Sequence, residues 1–86
     1  VQLGDFLSEE QRARLLSDAN DNIVRARKVL AQIEGKPLST EQQDSIERVK
    51  TFLQQAEQAR ERDPRTAVQL AQRADVLARD LAKVIR

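Results

Sequence analysis

Carboxylates, hydroxyls and basic side chains are the groups through which this chain could do chemistry, because its 86 residues include no histidine, cysteine, tyrosine, tryptophan or methionine. General acid–base catalysis would need an Asp or Glu buried where its pKa is raised. The apolar stripes described below place no acidic pair in the expected core. Ser8 and Ser39 are accounted for as helix caps, and Ser17 and Ser45 have no histidine or lysine beside them in the sequence. We therefore expect no enzymatic activity, no catalytic residue and no bound cofactor.

One short segment has part of the spacing of a metal site. Asp18, Asn20 and Asn22 match the first three oxygen ligands of a calcium-binding loop. The glycine and the terminal glutamate of such a loop are replaced by Ile23 and Val29. Because Ile23 also falls on an apolar helical stripe, we expect solvated polar residues on a helix here and no metal site.

Basic residues gather on one face of the last predicted helix. Residues 1–35 and 36–63 each have five basic and six acidic side chains, a net charge of −1, whereas residues 64–86 have five basic and two acidic, a net charge of +3. At about 100° per residue, four of those five basic residues and a glutamine fall within about 60° of each other, opposite the core stripe, and a valine lies among them. The candidate partner-binding face is therefore Arg65, Gln72, Val76, Arg79, Lys83 and Arg86.

The basic residues of this face are expected to have no acidic partners on the same face of the helix. A face of that kind attracts an acidic protein, a phosphate-bearing ligand or an anionic surface. The alternative is a solvated helix surface that happens to be rich in arginine. Nucleic acid is not expected as a partner, because the net charge of the chain is only +1 and no aromatic residue in the face could stack on a base.

Acidic residues precede basic residues by four positions in all three predicted helices. Such pairs lie on adjacent turns, and each adds a few tenths of a kcal/mol to helix stability. The expected pairs are Glu10 with Arg14, Asp21 with Arg25, Asp44 with Arg48, and Asp75 with Arg79.

Capping residues mark where the helices begin and end. Ser8 and Ser39 are each followed three residues later by Gln, which is the spacing of a capping box. Asp63 before Pro64 is typical of an N-cap and a first helical position, and Gly35 is typical of a left-handed helix end. The sequence predicts helices at about 9–34, 40–62 and 64–86.

Each predicted helix has one stripe of apolar residues at steps of three and four, as expected for a member of a bundle. Short loops between helices of similar length favour an antiparallel up-down-up arrangement. We therefore predict an all-α fold, a single three-helix bundle at residues 8–86 that follows an N-terminal tail at residues 1–7. Nearly complete burial is expected for Leu16, Ile23, Leu30, Leu53, Leu70, Leu77 and Leu81.

No run of apolar residues is longer than three, so neither a membrane-spanning helix nor a signal-peptide core is expected. The chain begins at Val1 and has no methionine, and we expect it to be a fragment of a larger protein. Its content of Ala, Gln and Arg is similar to that of small helical domains of bacterial proteins, some of them envelope proteins. That resemblance implies a soluble bacterial protein of the cytoplasm or the envelope.

The function expected from these features is that of a non-catalytic interaction or structural module that contacts another protein or a neighbouring domain. Two alternatives stay open. One is a self-associating domain whose helices swap or stack through the alanine-rich faces of the second and third helices. The other is an accessory domain that binds an anionic partner through the basic face. A monomer is favoured over a homo-oligomer.

Overall fold

A computed structural model describes residues 7–85 of this chain, which form the helices α1 (Glu9–Ile33), α2 (Thr40–Ala59) and α3 (Pro64–Val84). Ile33 at the end of α1 packs with Leu81 near the end of α3 and with Ile46 near the start of α2. The chain therefore runs up, down and up, as predicted. Within residues 7–85 there is no strand, and no helix is long and apolar enough to cross a membrane.

Both serine capping boxes form as predicted. The hydroxyl of Ser8 accepts a hydrogen bond from the backbone N–H of Gln11 at 3.1 Å, and the Gln11 side chain accepts one from the Ser8 backbone at 3.0 Å. Ser39 and Gln42 make the same reciprocal pair at 3.1 and 2.9 Å. These bonds satisfy backbone donors that the first turn of a helix leaves without partners.

Asp63 begins α3 in the predicted way. Its carboxylate accepts hydrogen bonds from the hydroxyl of Thr66 at 2.6 Å and from the Thr66 backbone N–H at 3.3 Å. These two bonds favour the charged carboxylate and hold the pKa of Asp63 below its ordinary value. Helix α2 ends at Ala59 instead of near residue 62, because residues 60–62 form the turn that leads to this cap.

Helix α3 is the central element of the bundle. It packs extensively against both α1 and α2, whereas α1 and α2 have little contact with each other. The buried face of α3 is made mainly of alanines, and their small side chains let two neighbouring helices approach it. The fully buried alanines of the bundle are Ala19, Ala26, Ala56, Ala67, Ala71, Ala74 and Ala78.

Burial of the large apolar residues follows the prediction only in part. Ile23, Leu53 and Leu81 are buried, as expected. The expectation is wrong for four leucines that are only partly buried, because alanines occupy the centre of each interface and leave those leucines at its edges. These residues are Leu16, Leu30, Leu70 and Leu77. The one large side chain with almost no exposed surface among residues 7–85 is Val49.

Candidate functional site

The basic face predicted from the sequence lies on the outer side of α3. Five of its six members are exposed there: Arg65, Gln72, Val76, Arg79 and Lys83. Val76 is the apolar member, and 48% of its surface is accessible. The sixth, Arg86, lies outside the described residues.

Two cations of this face have acidic neighbours. The pair expected between Asp75 and Arg79 is formed, but the expectation that the basic residues gather without acidic partners on the same face is wrong. Arg79 Nη2 lies 3.2 Å from Asp75 Oδ2, and Lys83 Nζ lies 3.8 Å from Asp80 Oδ1. The acids lie four and three residues earlier on the same helix, which brings them onto an adjacent turn. Their negative charge reduces the attraction that this part of α3 could exert on an anion.

Gln72 and Val76 instead open onto a groove between α2 and α3, with a volume of about 650 Å³. Phe52 of α2 and Leu77 of α3 supply the rest of its apolar lining. Both side chains are partly buried and pack against the core from its edge. Apolar surface from α2 and from α3, including the exposed Val76, is therefore in contact with solvent in this groove.

The polar lining of the α2–α3 groove carries positive charge only. Arg48 comes from α2 and Arg73 from α3, and the other polar residues there are Gln69 and Gln72. Within residues 7–85, no carboxylate lies within 4 Å of a guanidinium nitrogen of Arg48 or Arg73. The pair expected between Asp44 and Arg48 is therefore not formed.

A second groove of about 820 Å³ lies between α1 and α2, and its two basic residues, Arg27 and Lys50, are both paired with acids of the same groove. Arg27 Nη2 lies 2.6 Å from Glu57 Oε1, an ion pair that connects the two helices. Lys50 Nζ lies 3.7 Å from Glu47 Oε1. Both basic residues of this groove therefore have partners, whereas Glu34 and Asp44 in its lining have no cation within 4 Å among residues 7–85.

A polar cluster is buried between α1 and α3. The side chain of Asp75 is only 5% exposed, and its Oδ2 lies 3.6 Å from Arg25 Nε in addition to its contact with Arg79. Asn22 is also buried; its Nδ2 donates to the backbone oxygen of Asp18 at 2.8 Å, and its Oδ1 accepts from Arg25 Nη2 at 2.9 Å. The four-residue spacing predicted a pair of Arg25 with Asp21. That prediction is wrong, because Arg25 pairs with Asp75 of α3.

Asp75 and Asn22 are buried, which was not predicted, although their positions in the sequence contain a signal for it. Asp75 lies four residues after Ala71 and three before Ala78, both fully buried. Asn22 has a similar position, three residues after one buried alanine and four before another. A polar residue with alanines on both adjacent turns faces a helix interface, whatever its own polarity.

The calcium-like segment does not act as a unit. Asn22 is buried, so the expectation of a solvated residue is wrong there, while Asn20 Oδ1 accepts a hydrogen bond from Arg60 Nη1 at 2.7 Å. No group of three or more acidic side chains among residues 7–85 is placed to hold a metal ion. Asn20 thus contacts Arg60 beyond the end of α2, and Asn22 bonds to the backbone of its own helix at Asp18.

Neither a protein-family model, nor a curated protein, nor a solved structure matches this chain. The geometry of the two grooves and of the buried cluster therefore carries the functional proposal.

Proposed function

We propose that this chain is a non-catalytic helical interaction module. The observation that carries the proposal is the position of Val76, which is 48% exposed and lies at the α2–α3 groove beside the partly buried Phe52 and Leu77. Exposed apolar side chains gathered between two helices are typical of surfaces that bind other proteins. Contact with another protein or a neighbouring domain would remove this surface from water.

Two observations support a non-catalytic role. The sequence lacks the His and Cys residues that most often supply bases and nucleophiles. The buried carboxylate, Asp75, lies at the interface of α1 with α3, where Arg25 and Arg79 contact it. It is not among the residues that line the α2–α3 groove.

Binding of an anionic ligand by the outer face of α3 has weaker support. Arg79 and Lys83 lie beside Asp75 and Asp80, and attraction between exposed charges is screened within about 10 Å at ordinary ionic strength. Self-association through alanine faces meets a different obstacle. The alanines of α2 and α3 in the core have no exposed surface in the single chain, so the bundle would have to open before they could contact a second copy.

Site-specific photo-crosslinking tests the proposal with a matched control in the same chain. A photoreactive amino acid is placed at position 76 or at position 24, where Val24 of α1 has almost the same exposure, 50%. Both proteins are expressed in the cells that produce the natural protein. We expect position 76 to crosslink one protein or neighbouring domain about tenfold more than position 24 does.

The other outcomes of this experiment contradict the proposal. Equal and weak crosslinking at both positions would mean that the groove meets only solvent. Crosslinking of position 76 to a second copy of the chain would favour the self-associating domain, which sedimentation at several concentrations would then show as a mass that increases with concentration.

A further inference from the structure

The arginines of the α2–α3 groove have a charge that no carboxylate of residues 7–85 neutralises. Arg48 projects from α2 and Arg73 from α3, and no acidic residue of the described part of the chain belongs to the groove lining. The α1–α2 groove differs in this respect, because Arg27 and Lys50 there have carboxylate partners. A molecule that fits the α2–α3 groove would therefore meet two cations that are available for new ion pairs.

The apolar lining of the groove restricts the shape and chemistry of that molecule. Phe52 and Leu77 lie between two antiparallel helices, and Val76 extends the apolar surface outward. An amphipathic helix commonly binds in such a groove by placing apolar residues, spaced three and four apart, against it. A helix bound there would lie beside α2 and α3 as a fourth member of the bundle.

We propose that the α2–α3 groove binds an amphipathic helix of a partner protein that carries acidic residues beside its apolar stripe. The apolar stripe would contact Phe52, Val76 and Leu77, and the acidic residues would pair with Arg48 and Arg73. Charges of this kind at the edge of an interface select the partner and its orientation more than they raise affinity. This inference rests on the proposed interaction function and names the chemistry of the partner.

Three fluorescein-labelled synthetic peptides serve as probes. Each is about 18 residues long, enough for a helix of about 27 Å, with leucines at steps of three and four. The remaining positions flanking the leucines are Glu in the first peptide, Gln in the second and Lys in the third. We expect the Glu peptide to bind the wild-type chain about tenfold more tightly than the Lys peptide, by fluorescence anisotropy.

Charge-reversal variants locate the binding site. The double substitution Arg48→Glu and Arg73→Glu should weaken binding of the Glu peptide about tenfold and strengthen binding of the Lys peptide. The control is Arg14→Glu with Lys28→Glu, which makes the same change in net charge at exposed positions of α1, away from the groove. The control should bind the Glu peptide within about twofold of wild type. Circular dichroism and thermal melting establish that both variants are folded.

Several results would overturn the inference. They are equal affinity for the three peptides, no binding of any peptide, or the same loss of affinity in both double variants. Binding to vesicles of phosphatidylcholine with phosphatidylserine, without preference for the Glu peptide, would assign the cations to a membrane surface instead.

The two proposals fail in distinguishable ways. Partner crosslinking at position 76 without a preference for the Glu peptide would retain the interaction module and reject the acidic helix. The opposite result is a preference for the Glu peptide that depends on Arg48 and Arg73, without any crosslink in cells. It would support binding of an acidic helix by the groove and reject the proposed interaction function in those cells.

Discussion

The carboxylate of Asp75 in α3 lies 3.6 Å from Nε of Arg25 in α1, and this contact joins the two parallel helices. The two side chains differ greatly in exposure, at 5% for Asp75 and 56% for Arg25. Arg25 also donates to the buried Asn22, so it satisfies two polar groups that burial has separated from water. The exposed Arg25 therefore supplies polar contacts to two buried side chains, Asp75 and Asn22.

Removing Arg25 should destabilise the protein more than removing Asp75. Arg25→Ala leaves Asp75 with Arg79 as its remaining cation and removes the hydrogen-bond donor to Asn22 Oδ1, so it should cost about 1–2 kcal/mol. Asp75→Ala also removes the burial cost of a carboxylate whose Oδ1 has no hydrogen-bond partner within residues 7–85, and both arginines can return to water. That change should therefore stay within about 1 kcal/mol of wild type. Urea unfolding measures both values, and a larger loss for Asp75→Ala would refute this account.

Acid should weaken the start of α3 through Asp63. The hydrogen bonds from Thr66 lower the pKa of Asp63 in the folded protein, so its contribution to stability is present above the ordinary pKa of about 4. That contribution is lost as the pH falls through the lower, folded pKa. Asp63→Asn keeps a capping side chain but removes the titration. The variant should lose less stability than wild type on acidification, and equal losses in two urea titrations would contradict the assignment.

Val49 should matter more to stability than Leu77, although leucine is the larger residue. Val49 has no exposed surface, and Val49→Ala should cost about 2 kcal/mol through lost burial and the resulting cavity. Leu77 is partly exposed at the groove, and Leu77→Ala should cost about 1 kcal/mol, below the roughly 2–5 kcal/mol that full burial would imply. Chemical denaturation measures the loss of stability in both variants. A larger loss for Leu77→Ala than for Val49→Ala would contradict this expectation.

Gly35 should be required because of its left-handed backbone conformation and not because a larger side chain would clash with its neighbours. Its φ is +85°, and a Cβ atom built there would meet no atom within 4 Å. Gly35→Ala should therefore cost about 1 kcal/mol, and Gly35→Asn less, because asparagine tolerates the left-handed region better. Thermal unfolding of the two variants tests this order. An unchanged alanine variant would show that the loop rearranges freely.

The sequence by itself determined the number of the helices and the residue at which each one begins. The capping signals at Ser8, Ser39 and Asp63 act over three residues, so local hydrogen bonds satisfy them whatever the rest of the chain does. Gly35 acts in the same local way. The up-down-up order followed from short loops between helices of similar length. The predicted end of α2 near residue 62 was wrong, because residues 60–62 form the turn before Asp63.

Only the tertiary structure decided which side chains the interfaces cover. The period of an apolar stripe places a residue on one face of its own helix, but the distance to the neighbouring helices depends on the size of all the residues between them. Alanines bring α1 and α2 close to α3, so Asp75 becomes buried while Leu77 remains at an edge. The α2–α3 groove likewise unites Arg48 and Arg73, whose separation of 25 residues carries no short-range signal. Contacts between helices depend on packing geometry, which local spacing cannot specify.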